Sequence, residues 1–78
     1  MDSWITPEVE EIILREKSYM PKTFRMQTME TDHHLIIRII ADNFSDFSVN
    51  EKVRIAEGVN SIREQIKKLG CPVEIVKY

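Results

Sequence analysis

The chain has 78 residues, which is enough for one hydrophobic core but too few for two independently folded halves. Its composition, 42% hydrophobic and 31% charged residues, excludes a disordered polymer, and its apolar runs are too short to span a bilayer. The formal net charge of −2 argues against non-specific binding to nucleic-acid backbones. We therefore expect one domain over residues 1–78, with no membrane partner.

The first predicted element is a helix of about three turns that begins after Thr6. Thr6 suits the N-cap and Pro7 suits the first helical position. Pro21 is expected to end the helix, because a proline disfavours the helical conformation in the residue before it. The apolar stripe of this helix consists of Val9, Ile12 and Ile13.

Two strands are predicted to follow as a hairpin. Apolar and polar side chains alternate over residues 23–31, which indicates a half-buried strand. Residues 34–42 form a more apolar second strand, and a turn at Thr31-Asp32 brings the two strands close enough to pair.

A second helix, capped by Ser48 or Asp46, is predicted to be the longest element. It carries two apolar stripes rotated from each other, and Gly58 lies where one gives way to the other. We therefore predict a bend, or two consecutive helices that meet near Gly58. Gly70 is expected to end the helix. The first stripe is Val49, Val53 and Ala56, and the second is Ile55, Val59, Ile62, Ile66 and Leu69.

Residues 72–78 predict a closing strand, so that the element order is α-β-β-α-β. The fold class is α+β, with a three-stranded sheet and the helices packed on one face. A helical crossover should lay the last strand parallel to the second strand. The sequence leaves open which strand the last one pairs with.

The sheet face that points away from the helices is predicted to be unusually apolar. Residues two apart on a strand share a face, so Ile36 and Ile40 point outward if Ile37 and Ile39 point inward. Side chains of this composition are enriched at contact surfaces. The predicted partner-binding residues are Arg25, Met29, Ile36, Arg38, Ile40, Val76 and Tyr78.

Two interpretations of this apolar face remain open. It is either an interface for an unidentified protein partner or a homodimer, or a face covered by the N-terminal segment that contains Trp4 and Ile5. A strand register shifted by one residue would instead exchange the two faces of the sheet. A core of this size rarely supplies more than about 3–5 kcal/mol of net stability, which favours association.

Catalytic, metal and cofactor sites are not predicted. His33 and His34 are adjacent, so on a strand they would point to opposite faces and could not bind one ion together. Gly58 and Gly70 are too far apart for a phosphate-binding loop. The basic side chains of the long helix are interleaved with glutamates, which is typical of a solvated face.

The single cysteine, Cys71, allows no intramolecular disulfide, and the N-terminus lacks the pattern of a signal peptide. Both features favour a cytoplasmic location. Cys71 follows a predicted helix C-terminus, where the helix dipole raises the pKa of a thiol. We therefore expect a structural cysteine rather than a nucleophile.

The element order and the segment FSVNEKVRIAEGVNSIREQIKKLGCPVEIVKY resemble BolA-like proteins and the related class II KH arrangement. Phe47 precedes a helical stretch, Val59-Asn60 lies where that family often has a Val-Asn pair, and a short strand closes the domain. The family's histidine near the last strand and the KH G-x-x-G loop are absent. The resemblance therefore implies a shared topology only.

The leading functional hypothesis is a non-catalytic interaction module, a small regulator or adaptor that uses the outward face of the sheet. The alternative is a BolA-like or KH-like regulator that binds nucleic acid or is linked to iron–sulfur chemistry. Nucleic-acid binding is not favoured, and its strongest form would use Arg25, Arg38 and Tyr78 for phosphate contacts and base stacking.

Overall fold

The computed structural model describes residues 3–40 and 44–77, and these ranges contain the predicted α+β domain in the order α-β-β-α-β. The ends of the predicted strands at Ala41, Asp42 and Tyr78 lie outside the described residues. The elements are α1 (Pro7–Lys17), β1 (Arg25–Glu30), β2 (Leu35–Ile40), a 3₁₀ helix (Phe44–Asp46), α2 (Val49–Lys68) and β3 (Val73–Lys77).

Helix α1 begins as predicted and ends before Pro21. The Thr6 hydroxyl accepts a hydrogen bond from the Val9 backbone N–H at 3.3 Å. The last helical residue is Lys17, and the N–H groups of Tyr19 and Met20 each bond to the carbonyl three residues earlier. This tighter final turn ends the helix without the proline.

Helix α2 is continuous from Val49 to Lys68, so the predicted pair of helices meeting at Gly58 is wrong. The helix starts with a capping box, in which the Ser48 hydroxyl accepts from the Glu51 N–H and the Glu51 carboxylate accepts from the Ser48 N–H. Only the second apolar stripe supplies buried isoleucines. Val49 and Val53 of the first stripe are 76% and 48% exposed, so the first stripe does not contribute to the core.

The two glycines of the domain have different structural roles. A Cβ atom on Gly58 would collide with the terminal methyl group of the buried Met20, so this glycine permits a close approach between α2 and the turn after α1. Gly70 has a φ of 81° and ends α2. Its N–H bonds to the Lys67 carbonyl and the N–H of Cys71 bonds to that of Ile66, as in a Schellman motif.

The sheet has the strand order β1-β2-β3. Strands β1 and β2 form the predicted antiparallel hairpin, in which Gln27 pairs with Arg38. Strand β3 is parallel to β2, as predicted, and pairs with it directly, with Ile37 opposite Ile75. The pairing of the last strand, which the sequence left open, is therefore with β2.

A single core lies between the two helices and the inner side of the sheet. Leu35, Ile37 and Ile39 of β2 are 0%, 1% and 4% exposed, which confirms the predicted phase of this strand. The other buried apolar residues are Val9, Ile12, Ile13, Met20, Phe24, Ile55, Ile62, Ile66 and Cys71. Within the described residues, no helix is long and apolar enough to cross a membrane.

Candidate functional site

The outward side chains of the three strands form a surface that we call the open face. The strand register arranges them in rows across the sheet, so that Met29, Ile36 and Glu74 form one row and Gln27, Arg38 and Val76 form the next. Cross-strand neighbours on one face lie about 4.5–5.5 Å apart, which makes them one continuous surface. The described members of the open face are Arg25, Gln27, Met29, Ile36, Arg38, Ile40, Glu74 and Val76.

Four of the eight described residues of the open face are apolar, and arginines lie at its centre and at one end. Ile36, Ile40 and Val76 are partly buried by their neighbours, and Met29 is 47% exposed. Six of the seven predicted partner-binding residues lie on this one surface. The seventh, Tyr78, lies outside the described residues. The arrangement has the aliphatic and arginine composition of a contact surface.

The described N-terminal segment lies on the opposite side of the sheet. The Ser3 hydroxyl donates to the Glu30 carboxylate at 2.8 and 2.9 Å, and the Trp4 N–H donates to it at 2.7 Å. Glu30 pairs with Leu35, so it belongs to the inner side. Trp4 and Ile5 pack against the core, and the interpretation in which they cover the open face is therefore wrong.

The hydrogen-bond donors around Glu30 also lower the pKa of its carboxyl group. Hydrogen bonds from the Ser3 side chain, and then from the Trp4 backbone, lower the pKa of the Glu30 carboxyl below its ordinary value. The charged carboxylate therefore holds the N-terminal segment on the side of the helices.

The two histidines lie at the hairpin turn and have different surroundings. His34 Nε2 is 2.9 Å from Glu74 Oε2, and its Nδ1 is 3.1 Å from the Thr31 hydroxyl, which places its ring at the border of the open face. His33 is exposed within the turn. In the described parts of the chain, no three His, Cys, Asp or Glu side chains form a group that could hold a metal ion.

Cys71 is buried, and its thiol lies 3.6 Å from the Pro72 carbonyl oxygen as a weak donor. Burial raises the pKa of this thiol. A raised pKa keeps the thiol protonated at neutral pH, as expected for a structural cysteine.

Strand β1 is the least covered element of the sheet. Five of its six residues are exposed, and only Met26 is partly buried. It is an edge strand that pairs with β2 alone, whereas α2 packs along β3. The backbone edge of β1 therefore adjoins the open face and extends the surface on which a partner could lie.

A second concave surface was not predicted, and we call it the basic cleft. It has a volume of about 350 Å³ and lies between α2, the end of β3 and the 3₁₀ helix. Its polar lining residues are Lys52, Asn60, Arg63 and Lys77, and its apolar lining residues are Ile39, Phe44, Ile55, Ala56 and Val59.

The residues of α2 that line the basic cleft follow a helical spacing that can be recognised in the sequence. Lys52, Ala56, Asn60 and Arg63 lie at intervals of four, four and three residues, which places them on one side of a helix. The interleaved glutamates of α2 hide this spacing in the linear sequence. Lys77 and Phe44 have no comparable signal, because only the fold brings β3 and the 3₁₀ helix against α2.

No protein-family model, curated protein or solved structure matches this chain.

Proposed function

We propose that this domain is a non-catalytic interaction module, a small regulator or adaptor that docks a protein partner on the open face. The observation that carries the proposal is a group of apolar side chains, Met29, Ile36, Ile40 and Val76, on the side of the sheet that no described part of the chain covers. Apolar patches of this kind mark binding surfaces in soluble domains.

The charges of the open face indicate the chemistry of the partner. Arg25 projects from the same side as the apolar residues, while the carboxylate of Glu74 is bonded to His34. A complementary partner would present an apolar strip flanked by carboxylates. Arginine favours such contacts, because its planar guanidinium group can form two hydrogen bonds with one carboxylate.

The size of the open face favours a transient partner. Two strands of six residues and one of five, about 4.8 Å apart and with about 3.3 Å per residue, cover roughly 270 Å². A stable interface buries about 800 Å² on each partner. The open face alone is therefore too small for a permanent homodimer, although the edge of β1 can enlarge the contact.

The test is a comparison of two variants in co-purification from cells that express the protein. Ile36→Asp/Val76→Asp places charges among the apolar side chains of the open face, whereas Val53→Asp removes an exposed apolar residue from α2 and serves as the matched control. We expect the double variant to stay folded by circular dichroism and lose its co-purifying protein, and the control to retain it.

Two results would overturn this proposal. Retention of every co-purifying protein by the folded double variant would show that the open face does not bind it. Sedimentation of the wild-type domain as a stable dimer that the double variant abolishes would assign the face to a second copy of the chain instead.

The second candidate function is binding of single-stranded nucleic acid, which the two arginines of the open face and the resemblance to KH-like domains favour. None of the described open-face residues is aromatic, so they provide no platform for base stacking. If this function is correct, a labelled oligonucleotide should bind at low salt, with an affinity that falls steeply as salt is added. No binding at low salt would remove this candidate.

A further inference from the structure

The basic cleft brings together positive charges from two elements that are distant in sequence. The ammonium groups of Lys52, on α2, and Lys77, at the end of β3, lie 5.7 and 5.1 Å from the centre of the same ring, that of Phe44. Both contacts are within the range of a cation–π interaction. Phe44 therefore holds two like charges close together at one wall of the cleft.

Carboxylates do not neutralise these charges within the described residues. None of the residues that line the basic cleft is acidic, and none of its cations forms an ion pair there. Glu51 is used in the capping box, and Glu57 lines a different groove with Glu16 and Arg54. The cleft is thus locally cationic in a chain whose net charge is −2.

The floor of the basic cleft is apolar. Ile39 of β2 and Ile55 and Val59 of α2 lie below the cationic rim, and Ile39 and Ile55 belong to the core. A volume of about 350 Å³ falls within the range of roughly 300–1,000 Å³ that is usual for small-ligand pockets, which combine an apolar lining with a few polar groups.

We propose that the basic cleft binds a small amphipathic anion, whose apolar or aromatic body lies against the floor and whose carboxylate or phosphate is held by Lys52, Arg63 and Lys77. Arg63 can form paired hydrogen bonds with two oxygens of the anion, while the lysines act as point charges. Asn60 supplies a neutral donor and acceptor at the rim.

Both the charge and the volume of the basic cleft support a small molecule as the occupant. The cleft is bounded by α2, by the 3₁₀ helix and by the end of β3, and its volume suits a small ligand. The open face lies on the other side of the sheet, because Lys77 pairs with the inward Ile39. The two binding surfaces are therefore separate.

The first test uses two fluorescent probes that differ in charge. 8-Anilinonaphthalene-1-sulfonate carries a sulfonate, and N-phenyl-1-naphthylamine is the same aromatic skeleton without it. We expect the folded wild-type domain to bind the anionic probe roughly tenfold more tightly than the neutral one, as one charge-assisted hydrogen bond allows. Equal affinities for the two probes would overturn the proposal.

The second test locates the binding with matched variants. Lys52→Gln/Lys77→Gln and Arg63→Gln should each weaken binding of the anionic probe by roughly tenfold or more. Lys67→Gln/Lys68→Gln removes two exposed charges from the end of the same helix and should leave the affinity unchanged. An equal loss in this control, or a loss in Ile36→Asp/Val76→Asp, would place the probe elsewhere and contradict the proposal.

The source of the anionic group is distinguished by competition. Phenyl phosphate and benzoate share an aromatic body and differ in the anion, so the one that displaces the fluorescent probe at the lower concentration identifies the preferred group. Amide chemical shifts should move at Asn60 and Arg63 during the titration. Failure of both compounds to displace the probe, or shifts confined to β1, would overturn the assignment.

Discussion

Both sides of strand β2 carry isoleucines, but the surroundings of these isoleucines differ. Leu35, Ile37 and Ile39 are almost completely buried beneath the helices, whereas Ile36 and Ile40, one position away, are only partly buried by their neighbours on the sheet. Residue type therefore does not decide which isoleucines stabilise the domain. The position of the helical layer does, and the following predictions test how strongly the two sides differ.

The largest difference is expected between the effects of Ile37→Asp and Ile36→Asp on the free energy of unfolding. A carboxylate at position 37 would be buried without a partner at a cost of several kcal/mol, which equals or exceeds the net stability of about 3–5 kcal/mol expected for so small a core. At position 36 the carboxylate can reach solvent, and we expect a loss of about 1 kcal/mol or less. Urea unfolding monitored by circular dichroism measures both values.

The stability comparison has a clear contrary outcome. If Ile36→Asp unfolds the domain as completely as Ile37→Asp, then the open face is part of the core and cannot be a docking surface. If Ile37→Asp stays folded, the phase of the sheet is incorrect.

The phase of β2 could be predicted because the hydrophobic pattern and the burial follow the same two-residue period. The continuity of α2 could not, because the stripe that contains Val49 and Val53 resembles a second core-facing surface in sequence but is exposed in the fold. Gly58 then suggested a break. Its actual neighbour, Met20, is 38 positions away in sequence, and no local pattern reveals such a contact.

The stability of the core on the helical side of the sheet also depends on the close approach of Met20 to Gly58. Gly58→Ala gains about 1 kcal/mol of helix propensity but forces the buried methyl group of Met20 to move, at a cost of about 1–3 kcal/mol. We expect a net loss of about 1 kcal/mol. In a Met20→Leu background, which lacks that methyl group, the same change should become stabilising, and thermal unfolding of the four proteins tests the reversal.

Gly70→Ala provides the control for this cycle. Gly70 has a positive φ, and nothing lies near the position of an added Cβ. Gly70→Ala should therefore lower the stability of the domain by about 1–2 kcal/mol through backbone strain alone. This loss of stability should be the same with Met or Leu at position 20. A Gly58→Ala effect that is equally independent of residue 20 would rule out the proposed packing contact.

The candidate sites differ in how much of them the sequence reveals. The open face follows from strand alternation, because each strand contributes outward residues at intervals of two. The basic cleft depends on Lys77 and Phe44 meeting α2, which requires the parallel pairing of β3 with β2. Charges that look solvated and balanced along a linear sequence become separated once a helix presents its sides to different neighbours.

The smallest expected effect concerns the N-terminal segment, which is attached to the covered side through Glu30. Since the pKa of Glu30 is lowered in the folded state, this attachment is fully present above the ordinary glutamate pKa and is lost as the pH falls through the lowered value. The single tryptophan, Trp4, reports the change directly. We expect its emission to shift to longer wavelength only at acidic pH, below the usual range of a glutamate carboxyl.

Two carboxylates on opposite sides of the sheet make this pH experiment specific. Glu30→Gln can keep the hydrogen bonds but not the charge, so the shift of Trp4 emission attributable to this group should disappear. Glu74→Gln alters a carboxylate on the open face and should leave the shift unchanged. If instead Glu74→Gln abolishes the shift, Trp4 must lie near the open face in solution, and the two sides of the sheet would not be as different as their burial indicates.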